Sequence, residues 1–336
     1  MMKKIIAVCS LAVFPLVLSA EIKPAGYLSL DYLKGQKQSP YSGGSIQNLG
    51  AGLMLSGNLE GGFDFCLETR FRGVDKVDLE QAWAGFVSSQ VFHLKLGLYL
   101  VPFGKYNQVN RPHQTVLVSD PLHVGGIFPV SWRDLGAAID GRTKLFNYSA
   151  YIGNGLREGE DLKAGQQFTD NNANKAVGGR IGVSLSQQIE LGASYYTGKY
   201  DNSGRRSLAL KGADLSWATS DFYFLAEYTR ADIDNPAPFS QGKAEGLFLL
   251  LSMDYGGLKP VVSYQKLRYK DAFHGLGFSD PLQVGSGIFQ DGTRWTIGGV
   301  YFLSTGFLIK VEYDINREAN LELKDNVFRA QVAVQF

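Results

Sequence analysis

The stretch FRAQVAVQF occupies residues 328–336, the last of the sequence. Phe328, Ala330, Val332, Val334 and Phe336 alternate there with Arg329, Gln331, Ala333 and Gln335. An apolar residue at every second position describes a strand whose two faces meet different solvents. Chain ends are usually frayed and polar, yet here the alternation runs to the final aromatic. Two environments accommodate it. One is the last strand of a soluble sandwich. The other is a closed β-barrel in a bilayer, whose outward row meets lipid and whose inward row meets water.

The beginning of the sequence favours the second. Residues 1–20, MMKKIIAVCSLAVFPLVLSA, carry two lysines, a short apolar run and small residues before Glu21. That is the layout of a secretory signal peptide, too short for a spanning helix. Its removal leaves a single barrel domain over 21–336 with one cysteine, Cys66, and no internal disulfide. The terminal Phe336 resembles the C-terminal signature of bacterial outer-membrane barrels. That resemblance implies an assembly signal read by the barrel-assembly machinery.

Composition agrees. The chain has 40 Gly, 12% aromatic residues and a net charge of +1, which falls to about −1 without Lys3 and Lys4. Mean hydropathy is −0.09. Beyond the leader no apolar run reaches the ~18 residues of a spanning helix. A membrane barrel hides its hydrophobicity in this way, because lipid-facing residues alternate with polar ones. No basic run points to nucleic acid.

Period-2 segments recur at 25–35, 46–58, 61–72, 78–88, 91–100, 133–141, 144–153, 176–186, 189–199, 206–218, 221–232, 243–255, 257–268, 292–303, 306–317 and 324–336. They predict sixteen strands, an even number as expected of a bacterial barrel. The even-numbered connections are tiny: LEG, SSQ, GRTK, SQQ, TSD, GG and STG. All the long ones, such as 101–132, 154–175 and 269–291, are odd-numbered. A barrel entered from the periplasm alternates short turns with longer external loops. Tyr255, Trp217 and Trp295 suit interface girdles. The segments 206–218 and 257–268 alternate less cleanly and suggest a register-shifting bulge.

The inward rows hold ten acids and eight bases: Asp31, Asp64, Glu68, Glu80, Asp140, Glu190, Glu227, Asp254, Glu312 and Asp314 against Arg70, Arg72, Lys95, Arg180, Lys259, Arg294, Lys310 and Arg329. Unpaired charge is costly in a dry interior, so these rows predict water inside, and sixteen strands are wide enough to enclose it. Part of the set is expected to form ion pairs along the wall. Arg329 and Asp31 are expected to pair across the seam that closes the barrel.

The third external connection, 101–132, is the longest, and a loop of such length is usually functional. Val116, Leu117, Val118, Ile127, Phe128 and Val130 make it half apolar, as befits a segment packed on the inner wall. Lys105, Arg111 and His113, with Arg133 at the re-entry, are the expected constriction residues; His123 is a further cationic candidate. GLYLVPFGKYN (97–107), WRDLGAAIDG (132–141) and FNYSAYIGNG (146–155) resemble the phosphate-selective porin O and P family. The resemblance covers about a fifth of the chain. It implies a sixteen-stranded porin whose third loop folds inward. The family's lysine-rich cluster has no counterpart here, and the wall charges balance.

Four histidines without metal-site spacing give no transition-metal site, and no GxSxG elbow appears. DNNANK (170–175) lacks the glycine and the glutamate of a calcium loop. Neither an enzyme nor a cofactor is expected. The leading reading is a water-filled channel for passive diffusion of small hydrophilic solutes or ions. A substrate-specific uptake channel, for phosphate or another oxyanion, an organic acid or a siderophore, is the alternative. A non-transport adhesin or anchor is the third. Outer-membrane lipids are the expected surroundings, and assembly as a homotrimer is left open.

Overall fold

The computed structural model describes residues 21–72, 76–159, 162–235, 241–270, 291–319 and 322–336, the side chains of Arg72, Leu162 and Lys163 excepted. The expected leader, 1–20, lies outside the described residues. Sixteen strands follow in chain order: β1 (Glu21–Gly35), β2 (Ser45–Asn58), β3 (Phe63–Arg72), β4 (Lys76–Ser89), β5 (Phe92–Leu100), β6 (Arg133–Arg142), β7 (Phe146–Gly153), β8 (Ala176–Ser184), β9 (Ile189–Lys199), β10 (Ser207–Ala218), β11 (Phe222–Ile233), β12 (Gly242–Met253), β13 (Leu258–Lys270), β14 (Gly292–Ser304), β15 (Phe307–Glu318) and β16 (Val327–Gln335). Each pairs antiparallel with its neighbours in sequence, and β1 pairs with β16 to close the barrel. The sixteen predicted segments and the alternation of loop lengths are thus observed.

Closure places the last residue. Tyr27 is opposite Gln335, and Phe336 exchanges backbone hydrogen bonds with Gly26, N–H to O at 2.8 and 3.0 Å. The Phe336 ring lies over Gly26, where a Cβ would stand 2.7 Å from it. Phe328, Val332 and Phe336 are exposed, while Val327, Gln331 and Ala333 are buried. The alternation read from the sequence is therefore the division between outer and inner faces.

The seam pairing differs from expectation. Asp31 lies opposite Gln331, and Arg329 opposite Leu33. Asp31 accepts from Gln331 at 2.8 Å and from Asn48 at 3.0 Å. Arg329 instead reaches Asp314 at 2.7 Å and Glu312 at 3.6 Å on β15. The stagger of the closing strands moves the two partners one inward-facing step apart.

The two irregular segments carry no bulge. The pairings of β10 and β13 run without a register shift; shifts fall at Ser29/Asp31, Glu68/Thr69, Val87/Ser89 and Phe302/Ser304. The cause is chemical. On β10 the inward residues Leu208 and Leu210 are apolar and buried. On β13 Gln265 and Tyr269 bond to segment 101–132 inside the barrel, which puts Lys266, Arg268 and Lys270 on the outer face.

Candidate functional site

Segment 101–132 begins and ends at one point of the wall. Val101 N–H donates to the Trp132 carbonyl at 2.9 Å. One short helix, α1 (Tyr106–Val109), follows. Asn107, 1% exposed, clamps the base: its amide donates to Val101 O and Trp132 O at 2.9 and 3.0 Å and accepts from Trp132 N–H at 2.8 Å.

The apolar residues expected to face the wall do so in part. Leu117, Ile127 and Phe128 are buried, with Val116 and Val130 packed beside them. Phe103, Phe128 and Trp132 form an aromatic cluster with centroids 5.5–5.8 Å apart, and Trp132 meets Tyr196 of β9 at 4.9 Å. Tyr106 and His123 each approach Phe248 of β12 at 5.9 Å. The inward leucines of β10 are part of the same cluster. This explains why a strand facing a lumen is apolar there.

A loop buried in this way has backbone groups without a ladder partner, and these must be satisfied. The inward acids supply the acceptors. Glu227 takes the N–H groups of Lys105 and Tyr106 at 2.5 and 2.8 Å, and its other oxygen meets His123 Nε2 at 3.0 Å. Glu312 takes Val118 and Ser119 N–H at 2.8 and 2.7 Å. Gln265 accepts from Leu122 N–H at 2.9 Å. Lys310, 1% exposed, donates to Thr115 Oγ1 and Leu117 O at 3.0 and 3.1 Å. Arg294 donates to Asp120 O at 3.3 Å and to Asn316 at 2.9 Å. Asp314 accepts from Thr296 at 2.7 Å and from Arg329. Of the expected lumen wall, then, Lys310, Glu312 and Asp314 are buried, and the first two hold the loop. Gly104 is required at its own position: its φ is +64°, and a Cβ would stand 3.1 Å from the Glu227 carboxylate.

The opposite part of the wall stays open to two cavities. One, of about 230 Å³, is bordered by Glu68, Gln81, Lys95, Asp140, Gln108 and Arg111, among others. The second, of about 350 Å³, is bordered by Lys105, Arg142, Asn147, Ser149, Arg180 and Glu190, among others. Pro102 and Gln108 border both, so the two cavities adjoin along one side of 102–114. Among the described residues, their charges other than Arg142 are paired. Arg111 grips Glu68 with Nε and Nη2 at 2.9 and 2.5 Å, the two-point geometry suited to a carboxylate. Burial opposes the Arg111 charge, but Glu68 more than restores it and holds the guanidinium above its usual value. Lys95 meets Asp140 at 2.5 Å, and Lys105 meets Glu190 at 3.1 Å. Arg180 takes Asp214 at 2.6 Å and Glu190 at 2.8 Å.

The four expected constriction residues do not all meet, although Arg111 and His113 border one further cavity of about 90 Å³ beside Glu68. Lys105 and Arg111 border the cavities. His113 leans on the Tyr27 ring at 5.0 Å, and burial followed by the nearby Arg111 charge lowers its pKa to about 4. It is therefore neutral at pH 7. Arg133 is not at the opening: it is 5% exposed, donates to Leu79 O at 2.6 Å and lies 5.4 Å from the Phe168 ring. Gln166 and Phe168 of the external connection cover it, and only the backbone of Arg72 is described. Arg70 reaches Ser131 at 3.0 Å. Sequence reading missed Arg142 and Asp214. Arg142 continues the inward row of Asp140 and was assigned to the turn; Asp214 lies in the strand whose apolar inward row obscured its parity.

The motifs behind the family resemblance have a structural role. Asp134 accepts N–H bonds from Leu135, Asn154 and Gly155 at 2.8, 3.0 and 2.9 Å. A Cβ at Gly153 would overlap that carboxylate. RDLG and IGNG thus lock the β6–β7 rim beside the loop base and say little about substrate.

The family model for Gram-negative porins matches residues 7–320. An uncharacterized protein of Aquifex aeolicus is 28% identical over 198 residues, 54% of this chain. The match covers 45% of that relative, so the chain spans under half its length. Among solved structures, OmpF of Salmonella typhi in complex with daunomycin is similar with a TM-score of 0.68 at 12% identity, covering 94% of this chain and 97% of the other. The trimer form of OmpT, an outer membrane protein of Vibrio cholerae, is similar with a TM-score of 0.64 at 10% identity, covering 94% and 99%.

Proposed function

The chain belongs to the Gram-negative porin family, and from that premise we propose that it is an outer-membrane channel for passive diffusion of small hydrophilic solutes and ions. In this reading the leader 1–20 directs export and is removed. Residues 21–336 form one barrel, and segment 101–132 lies across the lumen as its constriction. The channel is a passage and performs no chemistry.

The observation that carries the reading is the division of the wall. The inner face of β9–β15 holds the loop through Glu227, Phe248, Gln265, Lys310 and Glu312. The inner face of β3–β9 borders the two adjoining cavities, and the loop reaches it through Arg111 on Glu68, Ser131 on Arg70 and Lys105 on Glu190. Lys95, Lys105, Arg111, Arg142 and Arg180 border them against Glu68, Asp140 and Glu190. With Asp214 held behind Arg180, five bases meet four acids. Charge in a narrow low-dielectric neck acts strongly on passing ions, so this near-balance gives weak selectivity with a mild anion bias.

A second reading, an oxyanion-selective channel of the phosphate-selective porin O and P type, draws on the motif resemblance and on Arg142, which has no carboxylate within 4.0 Å among the described residues. Assembly as a homotrimer is proposed from the fold likeness to a trimeric relative. Zero-current potentials in a potassium chloride gradient, repeated with added phosphate, test the reading. Weak, phosphate-insensitive selectivity is expected; a phosphate-saturable current would favour the second reading, and a strong cation preference would contradict both.

A further inference from the structure

Segment 101–132 returns to the wall at an edge that β7 does not reach. β6 pairs with β5 as far as Arg133, opposite Leu100, but with β7 only as far as Gly136, opposite Gly153. Residues 133–135 therefore lie beyond the β7 ladder, and their backbone groups on that side need other partners. The external connection 154–175 supplies them. Gln166 Oε1 accepts the Arg133 N–H at 2.9 Å, and Asn154 N–H donates to the Leu135 carbonyl at 3.3 Å. The Phe168 ring lies 5.4 Å from the Arg133 guanidinium.

A second contact closes a circuit. Leu156 bridges antiparallel to Gln166 and donates its N–H to the Tyr196 hydroxyl at 2.8 Å. Tyr196 packs edge-on against Trp132 at 4.9 Å. Trp132 and Arg133, adjacent in the chain, are thus held from two sides by one bridge of the external connection. The residue before them has an uncommon backbone: Ser131 is 3% exposed and has a φ of +52°. A serine stays in that left-handed region only where its surroundings impose it, and Arg70 donates to its Oγ at 3.0 Å. Contacts, and not the turn's own preference, set its shape. What displaces this turn displaces the opening: Trp132 meets Phe103 and Phe128 at 5.8 and 5.6 Å, and Pro102, beside Phe103, borders both cavities.

We infer that Gln166 is a positioning residue for the constriction, fixing from the external mouth the turn by which segment 101–132 rejoins the wall. The inference rests on the reading that this segment narrows the lumen. Gln166 acts through Arg133 and Trp132. Loss of its oxygen removes one buried hydrogen bond from the turn, which should raise the population of displaced loop states about tenfold.

Single-channel currents in planar bilayers test this on barrels that keep heat-modifiable mobility. Gln166→Leu keeps most of the side-chain volume and loses the acceptor; flickering between current levels is expected to occupy about tenfold more of the record. Gln166→Glu keeps an acceptor oxygen at the same reach and should restore the steady current. Gln167→Leu breaks two hydrogen bonds of the same connection, to Asn154 O and Asn171 Oδ1 at 3.1 Å each, neither of them to 131–133, and should stay steady. A steady Gln166→Leu overturns the inference, and so does a Gln166→Glu or a Gln167→Leu as noisy as Gln166→Leu. If Gln166→Leu fails to fold, Phe168→Ala at an exposed position carries the test: flicker is expected, and a steady current overturns the inference. Deleting 108–128 reads the premise separately. Raised conductance there with a steady Gln166→Leu refutes the positioning alone, whereas unchanged conductance refutes the reading on which it rests.

Discussion

Replacing Arg111 by Gln separates a charge pair that now nearly cancels itself beside the opening. Arg111 and Glu68 are in two-point contact, so their combined field on a passing ion is small. Arg111→Gln leaves Glu68, among the described residues, with the Gln81 amide at 2.7 Å as its hydrogen-bond partner. One net negative charge then borders the 230 Å³ cavity. At roughly 7 Å and an effective dielectric constant of about 40–80, a unit charge shifts an ion's energy by about 0.6–1.2 kcal/mol. Screening in 0.1 M salt brings this to about 0.5 kcal/mol. A cation gains what an anion loses, so the permeability ratio should move by about 1 kcal/mol, or about fivefold, towards cations. Glu68→Gln should move it about as far towards anions. The double variant should return close to the starting value, because the two opposite shifts cancel. Arg294→Gln should do less, because Arg294 bonds Asn316 and the Asp120 carbonyl away from the 102–114 side. Zero-current potentials on barrels that keep heat-modifiable mobility are the assay. If the two single variants move selectivity the same way, or not at all, the pair does not border the passage.

Three other outcomes are expected. Deleting Phe336 removes two ladder hydrogen bonds to Gly26, about 1–3 kcal/mol in all; refolding in detergent should survive, whereas folded protein in outer-membrane fractions should fall sharply, and equal amounts there would contradict an assembly signal. Because burial and Arg111 lower His113 to about 4, it gains charge only as pH falls through that value; His113→Gln should leave selectivity unchanged from pH 8 to 5 and remove only a rise in anion preference near pH 4. Asn107→Ala loses three buried hydrogen bonds at the loop base, roughly 2–4 kcal/mol, and should speed limited proteolysis within 101–132; unchanged cleavage would mean that the clamp does not hold the loop.

The barrel was legible because alternation writes two solvents into one strand. Phe146, Ala150 and Ile152 face out, with Asn147 and Ser149 between them bordering a cavity. Reading failed where a face met something other than lipid or water. Leu208 and Leu210 are inward and apolar because the loop covers them, and Lys266 and Arg268 are outward and charged. Parity alone cannot foresee either. It was also blind to stagger, which set Asp31 against Gln331 instead of Arg329, and to cover, which buries Arg133 under Phe168. Glu227 and Glu312 were legible as inward acids; that they accept the loop's backbone N–H groups depends on contacts more than a hundred residues apart.

The central claim is that segment 101–132 narrows the lumen. Deleting 108–128 leaves the Val101–Trp132 bridge and the Asn107 clamp in place while removing the Arg111 side chain that grips Glu68 and the backbone and Thr115 groups that meet Glu312, Gln265 and Lys310. Unitary conductance in planar bilayers is the direct measurement. The account predicts a folded barrel with raised conductance and weaker selectivity; a folded barrel whose conductance equals that of the full chain would contradict it.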